Sequence, residues 1–483
     1  MRRCSLTFTV ALAALLTATS TFAGDPAAVA RRLMASPRIT IDAAEPAPAA
    51  EGAVKVTFSF NYLDPRGKPQ VGHGKITMPA AVLSNPSRRV PLYYGAGYET
   101  ADDAAAGYIH DGFAAASPLK TKVNPVARTP NLDIALLHIL RTLPFVDDAK
   151  VTIAGGSAGG YTTLMLAAET FPLAGAVPLV APVNLGYQFQ YILSNYPLIR
   201  GIDGKRQGSP VPILAGIHSL VIPDIFEHYP QDVGAPMWSR NSPLAHLETI
   251  TCPVLAVWST GDTLVPIHQV SRKLVRPHDP SLYPEGFKIE PAELMRSESG
   301  RAELLASLRE DPYTLTIVPA DRDWPIESEV RKTGKRNPLS APRWEIPFTG
   351  SRQWEIVVLD EGPIMPASGH FLHHILPADD RYIRDRVAAP ISPDQLTPRK
   401  LERLMARYSG VEWLDSGLRQ LDYPEAERAD VLRGLLTYVT QGEGHARRFV
   451  ELYAALPTDR RALGARFSDP ATIASALRAI GNQ

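Results

Sequence analysis

Two cysteines in 483 residues exclude a disulfide framework and leave little for thiolate metal binding. Cys4 lies in a basic N-terminal start, which leaves Cys252 alone in the rest of the chain. Cys252 opens an apolar run to Trp258, and no histidine or other base stands beside it to form a thiolate, so it reads as core packing. Excess charge is absent too: 50 Lys and Arg balance 50 Asp and Glu, for a formal net charge of +0. No chain-wide field gathers phosphates, and nucleic acid is not an expected partner. Beyond the N-terminus no apolar run approaches the roughly 20 residues that span a bilayer, so stable membrane insertion is not expected. Gly201-Ile202-Asp203-Gly204-Lys205 lacks phosphate-loop spacing, and His370, His373 and His374 have neither an H-E-x-x-H pattern nor carboxylates at ligand spacing. Neither a cofactor nor a metal is therefore expected. Internal repeats and low-complexity tracts are missing as well.

What remains is an ordinary globular composition, 45% hydrophobic and 21% charged, with 44 prolines that fix many loops. Arg2 and Arg3, the apolar run from Leu6 to Leu16, and small residues around Thr21-Phe22-Ala23 form the three parts of a cleavable signal. They predict a signal peptide over residues 1–23 and a secreted or periplasmic destination. Residues 24–52, rich in Ala and Pro without a sustained period, are expected to be a loose leader. The fold is expected to begin near Ala53, where Val54, Val56, Phe58 and Phe60 alternate with polar residues as in a half-buried strand. Asp64-Pro65-Arg66-Gly67 turns that strand into a partner ending at Met78.

Short apolar strands are then predicted from Val90, Gly112, Val151, Cys252 and Trp354, with helical spacing from Asn131 and from Ala158. Fully apolar short strands alternating with amphipathic helices predict an α/β fold whose central sheet is mainly parallel and covered on both faces. Two stretches interrupt the alternation. Residues 184–247 have the composition of a cap over a cleft or of a surface excursion, and residues 276–352 are irregular apart from a strand-like run at Tyr313 to Val318. The unit with its two insertions spans residues 53–379, and residues 380–483 form a charged helical extension with no catalytic motif.

The strongest local signal is Gly155-Gly156-Ser157-Ala158-Gly159-Gly160, set between a predicted strand and a predicted helix. A serine on so tight a turn needs small residues two positions to either side, and Gly155 and Gly159 supply them. The following helix would aim its N-terminal amides at the site, which makes the Ala158 N–H a candidate oxyanion donor. A hydroxyl attacks only when a base takes its proton and a third group holds that base. Asp262, in the turn after the strand ending at Trp258, is the candidate acid, although such a residue also serves as a helix cap. His370, in Gly369-His370-Phe371 beyond the strand from Trp354, is the candidate base, with His373 and His374 as rivals. Asp360 and Glu361 are reserve acids, ahead of Asp321 and Asp323. A second oxyanion donor is expected in Gly95-Ala96-Gly97-Tyr98, from Gly97 or Tyr98. Tyr187, Phe189, Tyr191 and Tyr196 either line an acyl pocket or pack a cap.

On these residues the chain resembles the α/β-hydrolase superfamily, in particular its dienelactone-hydrolase-like and prolyl-oligopeptidase-like branches. The resemblance runs from about Val54 to His374 and is most specific at Gly155 to Tyr161. It implies a triad in the order Ser157, Asp262, His370, and in the peptidase branch a tyrosine at the oxyanion, matched loosely by Tyr94 or Tyr98. Those oligopeptidases carry a β-propeller before the catalytic domain, and here only residues 24–52 separate the signal from the fold. A carboxylic ester hydrolase acting on a small or polymeric ester is therefore the first expectation. A peptidase or amidase with the same chemistry, and a hydrolase-like binding protein without turnover, are the alternatives.

Overall fold

The alternating run from Val54 forms a ten-residue strand, the second of ten in one sheet. The structure, a computed structural model, describes residues 25–64, 67–119, 124–128, 130–192, 222–232, 235–260, 262, 264–270, 298–309, 314–319, 354–360, 378–414, 417–420 and 424–482. The expected signal peptide lies outside them. In chain order the strands are β1 (Thr40–Pro46), β2 (Val54–Leu63), β3 (Pro69–Met78), β4 (Val90–Gly95), β5 (Ala114–Pro118), β6 (Val146–Gly156), β7 (Gly175–Leu179), β8 (Val254–Ser259), β9 (Thr314–Pro319) and β10 (Trp354–Asp360). Across the sheet they run β1-β2-β3-β5-β4-β6-β7-β8-β10-β9. The β1/β2, β2/β3 and β3/β5 pairs are antiparallel, and every pair from β5 to β9 is parallel.

Continuous burial of β7 and β8 follows from packing on both faces. Along β8, Val254, Ala256 and Trp258 join a large core with Leu136, Leu140 and Leu164, while Leu255 and Val257 join a second with Tyr382, Ile383 and Val387. A two-residue period sends alternate side chains to opposite faces, so a strand covered twice reads as one apolar run. The chain passes from β4 outward to β5 and returns to the other side of β4 for β6. The strand order thus reverses between β4 and β6, where parallel sheets open a crevice at their carboxyl ends.

Three expectations are corrected. Of the expected loose leader over 24–52, residues 25–52 are ordered into the fold: Pro26–Leu33 is a helix, and β1 pairs with β2. Asp25 caps that helix by accepting from the Ala27 N–H at 3.0 Å, and Val29, Ala30 and Leu33 enter the main core. One turn of apolar spacing and a half-exposed edge strand containing Asp42, Glu45 and Pro46 leave little periodicity to read. Strand β7 was not expected, because Pro178 interrupts a run that proves to be fully buried. Residues 380–483 are not wholly an appendage, since Tyr382, Ile383 and Val387 pack on the sheet. The separate apolar cluster of the tail begins at Ile391. It gathers the helices Pro398–Ser409, Pro424–Val439, Glu443–Ala455 and Ile473–Gly481. Strand β9 falls in the second insertion, where Tyr313 to Val318 suggested one.

Candidate active site

Only Ser157 separates the end of β6 from the helix Ala158–Glu169. Its backbone stands at φ 56°, ψ −122°, a conformation that L residues rarely adopt. The surroundings enforce it: the Ser157 N–H donates to the Leu179 carbonyl at 2.9 Å, and the Ser157 carbonyl accepts from the Tyr161 N–H at 3.0 Å. Clearance depends on the glycines, as the motif predicted. A β-carbon on Gly159 would sit 2.6 Å from the Ala96 carbonyl oxygen, and one on Gly155 would sit 2.7 Å from the Gly159 backbone. Ser157 itself is half-buried and stands at the carboxyl edge of the sheet. Next to the elbow, Val180 also has a positive φ, 43°, which for a β-branched residue is a strained outlier.

The loop after β4 lies against this turn. A β-carbon on Gly97 would come 2.7 Å from Gly159 Cα, and one on Gly159 would lie 3.4 Å from Tyr98 Cδ2. Contact between two bare backbones brings the loop to the first turn of the helix, where Ala158 is located. Gly97, however, does not match the expected donor, because its N–H donates to Asp133 Oδ1 at 2.8 Å. Tyr94 also differs from the tyrosine implied by the peptidase branch: its hydroxyl is buried and donates to the same Oδ1 at 2.9 Å. Tyr98, 46% exposed, remains beside the elbow.

Asp262 follows β8 and is 1% exposed. Its Oδ1 accepts from the Leu264 and Val265 N–H groups, each at 2.9 Å, so the carboxylate is fixed by its own turn. His370, His373 and His374, and with them Glu361, Asp321, Asp323 and Tyr196, lie outside the described residues. Asp360 ends β10, whose Leu359 pairs with Ser259 of β8, the strand that Asp262 follows. Sequence reasoning did not find a buried amide chain in this region. Gln269 accepts from Val183 and Asn184 at 2.8 and 3.1 Å and donates to Gln188 at 2.8 Å, while Gln188 donates to the Leu264 carbonyl at 2.7 Å. It joins the segment after β7, the first insertion and the segment after Asp262. Tyr187, Phe189 and Tyr191 are buried, and Phe189 packs with Tyr229 and Trp238 against Ala158 and Tyr161. The described part of the first insertion thus covers the start of the elbow helix.

The described segments after β4, β6 and β8 therefore carry Gly97 and Tyr98, then Ser157 and Ala158, then Asp262. A serine elbow after a central parallel strand, with the candidate acid Asp262 beyond a later one, decides the architecture. The chain has the α/β-hydrolase fold. Among the described residues, no group of three or more His, Cys, Asp or Glu side chains could hold a metal ion.

No protein-family model and no curated protein matches the sequence. Several solved structures are similar. The acetyl xylan esterase 1 of Thermoanaerobacterium sp. JW/SL YS485 is 14% identical with a TM-score of 0.28, over 50% of this chain and 80% of that one. Candida antarctica lipase A is 11% identical with a TM-score of 0.33, over 53% and 76%. A puromycin-hydrolyzing peptidase of Mycobacterium tuberculosis is 13% identical with a TM-score of 0.32, over 68% of this chain and 40% of the peptidase.

Proposed function

We propose that the protein is an exported serine hydrolase that cleaves carboxylic esters through an acyl-enzyme. The observation that carries this reading is Ser157 held at φ 56° on a half-buried elbow, a strain that a plain glycine-rich turn would not need. Ser157 Oγ attacks the ester carbonyl carbon as His370 takes its proton. The carbon–alkoxy bond then breaks, and His370 returns that proton to the departing alcohol. Water repeats the sequence on the acyl-serine, releasing the acid and restoring Ser157. Asp262, with its Oδ1 fixed by two backbone amides, orients the imidazole and offsets its charge. The Ala158 and Tyr98 amides hold the oxyanion. Export rests on the basic, apolar and small-residue series of residues 1–23.

The test is hydrolysis of p-nitrophenyl acetate by the wild type and by Ser157→Ala, with fluorophosphonate labelling alongside. Loss of kcat by about 10⁴-fold or more and loss of labelling in the variant are expected. Equal turnover by the two proteins would remove Ser157 from the mechanism. An unlabelled wild type would indicate a binding protein, and preference for an aminoacyl amide over the matched ester would indicate a peptidase.

A further inference from the structure

Below the loop that follows β4 lies a buried ionic cluster that no step above uses. Asp133, in the first turn of the helix Asn131–Arg141, is 0% exposed, and Arg128 is 5% exposed. Arg128 Nη2 donates to Asp133 Oδ2 at 2.9 Å and to the Gly97 carbonyl at 2.8 Å. Asp133 Oδ1 accepts from the Gly97 N–H and from Tyr94 Oη. Both polar groups of Gly97 are thus held by one carboxylate–guanidinium pair. Burial and the Asp133 charge push the Tyr94 phenol well above its usual range, so it remains a donor.

Holding a turn this way is costly, because both charges lose their hydration, which offsets much of their attraction. What the pair supplies is a single geometry. Gly97 has a φ of 81° and touches Gly159 of the elbow helix, so a shift of its peptide displaces the next amide, that of Tyr98, relative to Ser157. Errors of about 1 Å at such a donor can cost on the order of 100-fold in rate.

We infer that Asp133, held by Arg128, is a positioning residue that fixes the Gly97 peptide and so sets where the Tyr98 amide meets the oxyanion. This rests on Ser157 being the nucleophile. The experiment compares wild type, Asp133→Asn and Tyr94→Phe. Fluorophosphonate titration counts competent sites, p-nitrophenyl acetate gives kcat and KM per titrated site, and phenylboronic acid serves as a tetrahedral anionic mimic. For Asp133→Asn, kcat per site falls about 10- to 100-fold, KM changes less than about threefold, and boronate affinity weakens in step with kcat. Tyr94→Phe keeps the ring, removes one hydrogen bond to Oδ1, and gives the same pattern at about 3- to 10-fold, which decides the matter if Asp133→Asn does not fold. Fewer titrated sites with unchanged kcat per site would mean a structural role and overturn the inference, as would boronate affinity that stays constant while kcat falls. Failure of the wild type to label would overturn the nucleophile assignment itself, and this inference with it.

Discussion

At the scale of single residues, strain and clearance dominate the site. Ser157 is held at φ 56° by hydrogen bonds on both sides, and conformations of this kind cost about 1–3 kcal/mol in a residue with a β-carbon. Glycine adopts them freely, offset by about 0.4–1 kcal/mol of extra unfolded-state entropy. Ser157→Gly is therefore expected to unfold at higher denaturant than Ser157→Ala, although neither hydrolyses ester; equal midpoints would show that the dihedral stores little. Gly159→Ala acts in the opposite direction. Its methyl would meet the Ala96 carbonyl oxygen at 2.6 Å, so a loss of about 1–3 kcal/mol or more is expected by the same measurement. The elbow was legible in the sequence because Gly155-x-Ser157-x-Gly159 has a local steric cause. The binding of the Gly97 amide to Asp133 was not, since its partner arrives from 36 residues downstream and no local pattern records it.

Among elements, the helix Ala158–Glu169 is held at both ends. Its first turn faces the site, and its last carbonyls meet Lys400 of the C-terminal tail. Lys400 Nζ donates to Ala167, Ala168, Thr170 and Thr249 carbonyls at 3.2, 2.8, 3.1 and 2.9 Å, and Arg407 reaches the Glu169 carbonyl. Burial lowers the Lys400 amine from 10.5 to about 7, and as a hydrogen-bond donor it satisfies carbonyls that the helix end leaves without partners. Lys400→Met keeps the apolar stem and leaves those carbonyls without a donor, so destabilisation of about 1–3 kcal/mol in urea unfolding is expected. A variant as stable as wild type would show that the carbonyls find other partners. The sequence revealed the helix that carries Lys400 and described the tail as lacking a motif. A lone lysine gives no sign that it is buried until its acceptors, more than 150 residues earlier, fold beneath it. Strand β8 was legible from its apolar run, whereas β7 was hidden by Pro178 and β1 by its charged, half-exposed faces.

Over the whole molecule, charge joins the tail to the sheet. Glu169 pairs with Arg403 and Arg407, Arg407 with Glu427 and Asp430, and Arg141 with Asp430. Burial alone would raise the Asp430 carboxyl, but the surrounding cations outweigh it and lower the group from 3.8 to about 2. A carboxylate with a folded value below its unfolded one contributes stability that is fully present above the unfolded value and lost as pH falls through the folded one. Urea midpoints are therefore expected to drop between about pH 4 and pH 2, with Asp430 supplying about 2 kcal/mol of the change. Asp430→Asn should be weaker at neutral pH and flatter across that window; an unchanged slope would assign the acid sensitivity elsewhere. The grip on the elbow helix also has a consequence for biosynthesis. Residues after 390 leave the ribosome later than every other described part of the sheet unit, and they alone bring Lys400, Arg403 and Arg407. Until they emerge, the far end of the serine's helix stays open to water, so a partly made chain is an unfinished tool, and completion of the tail closes it.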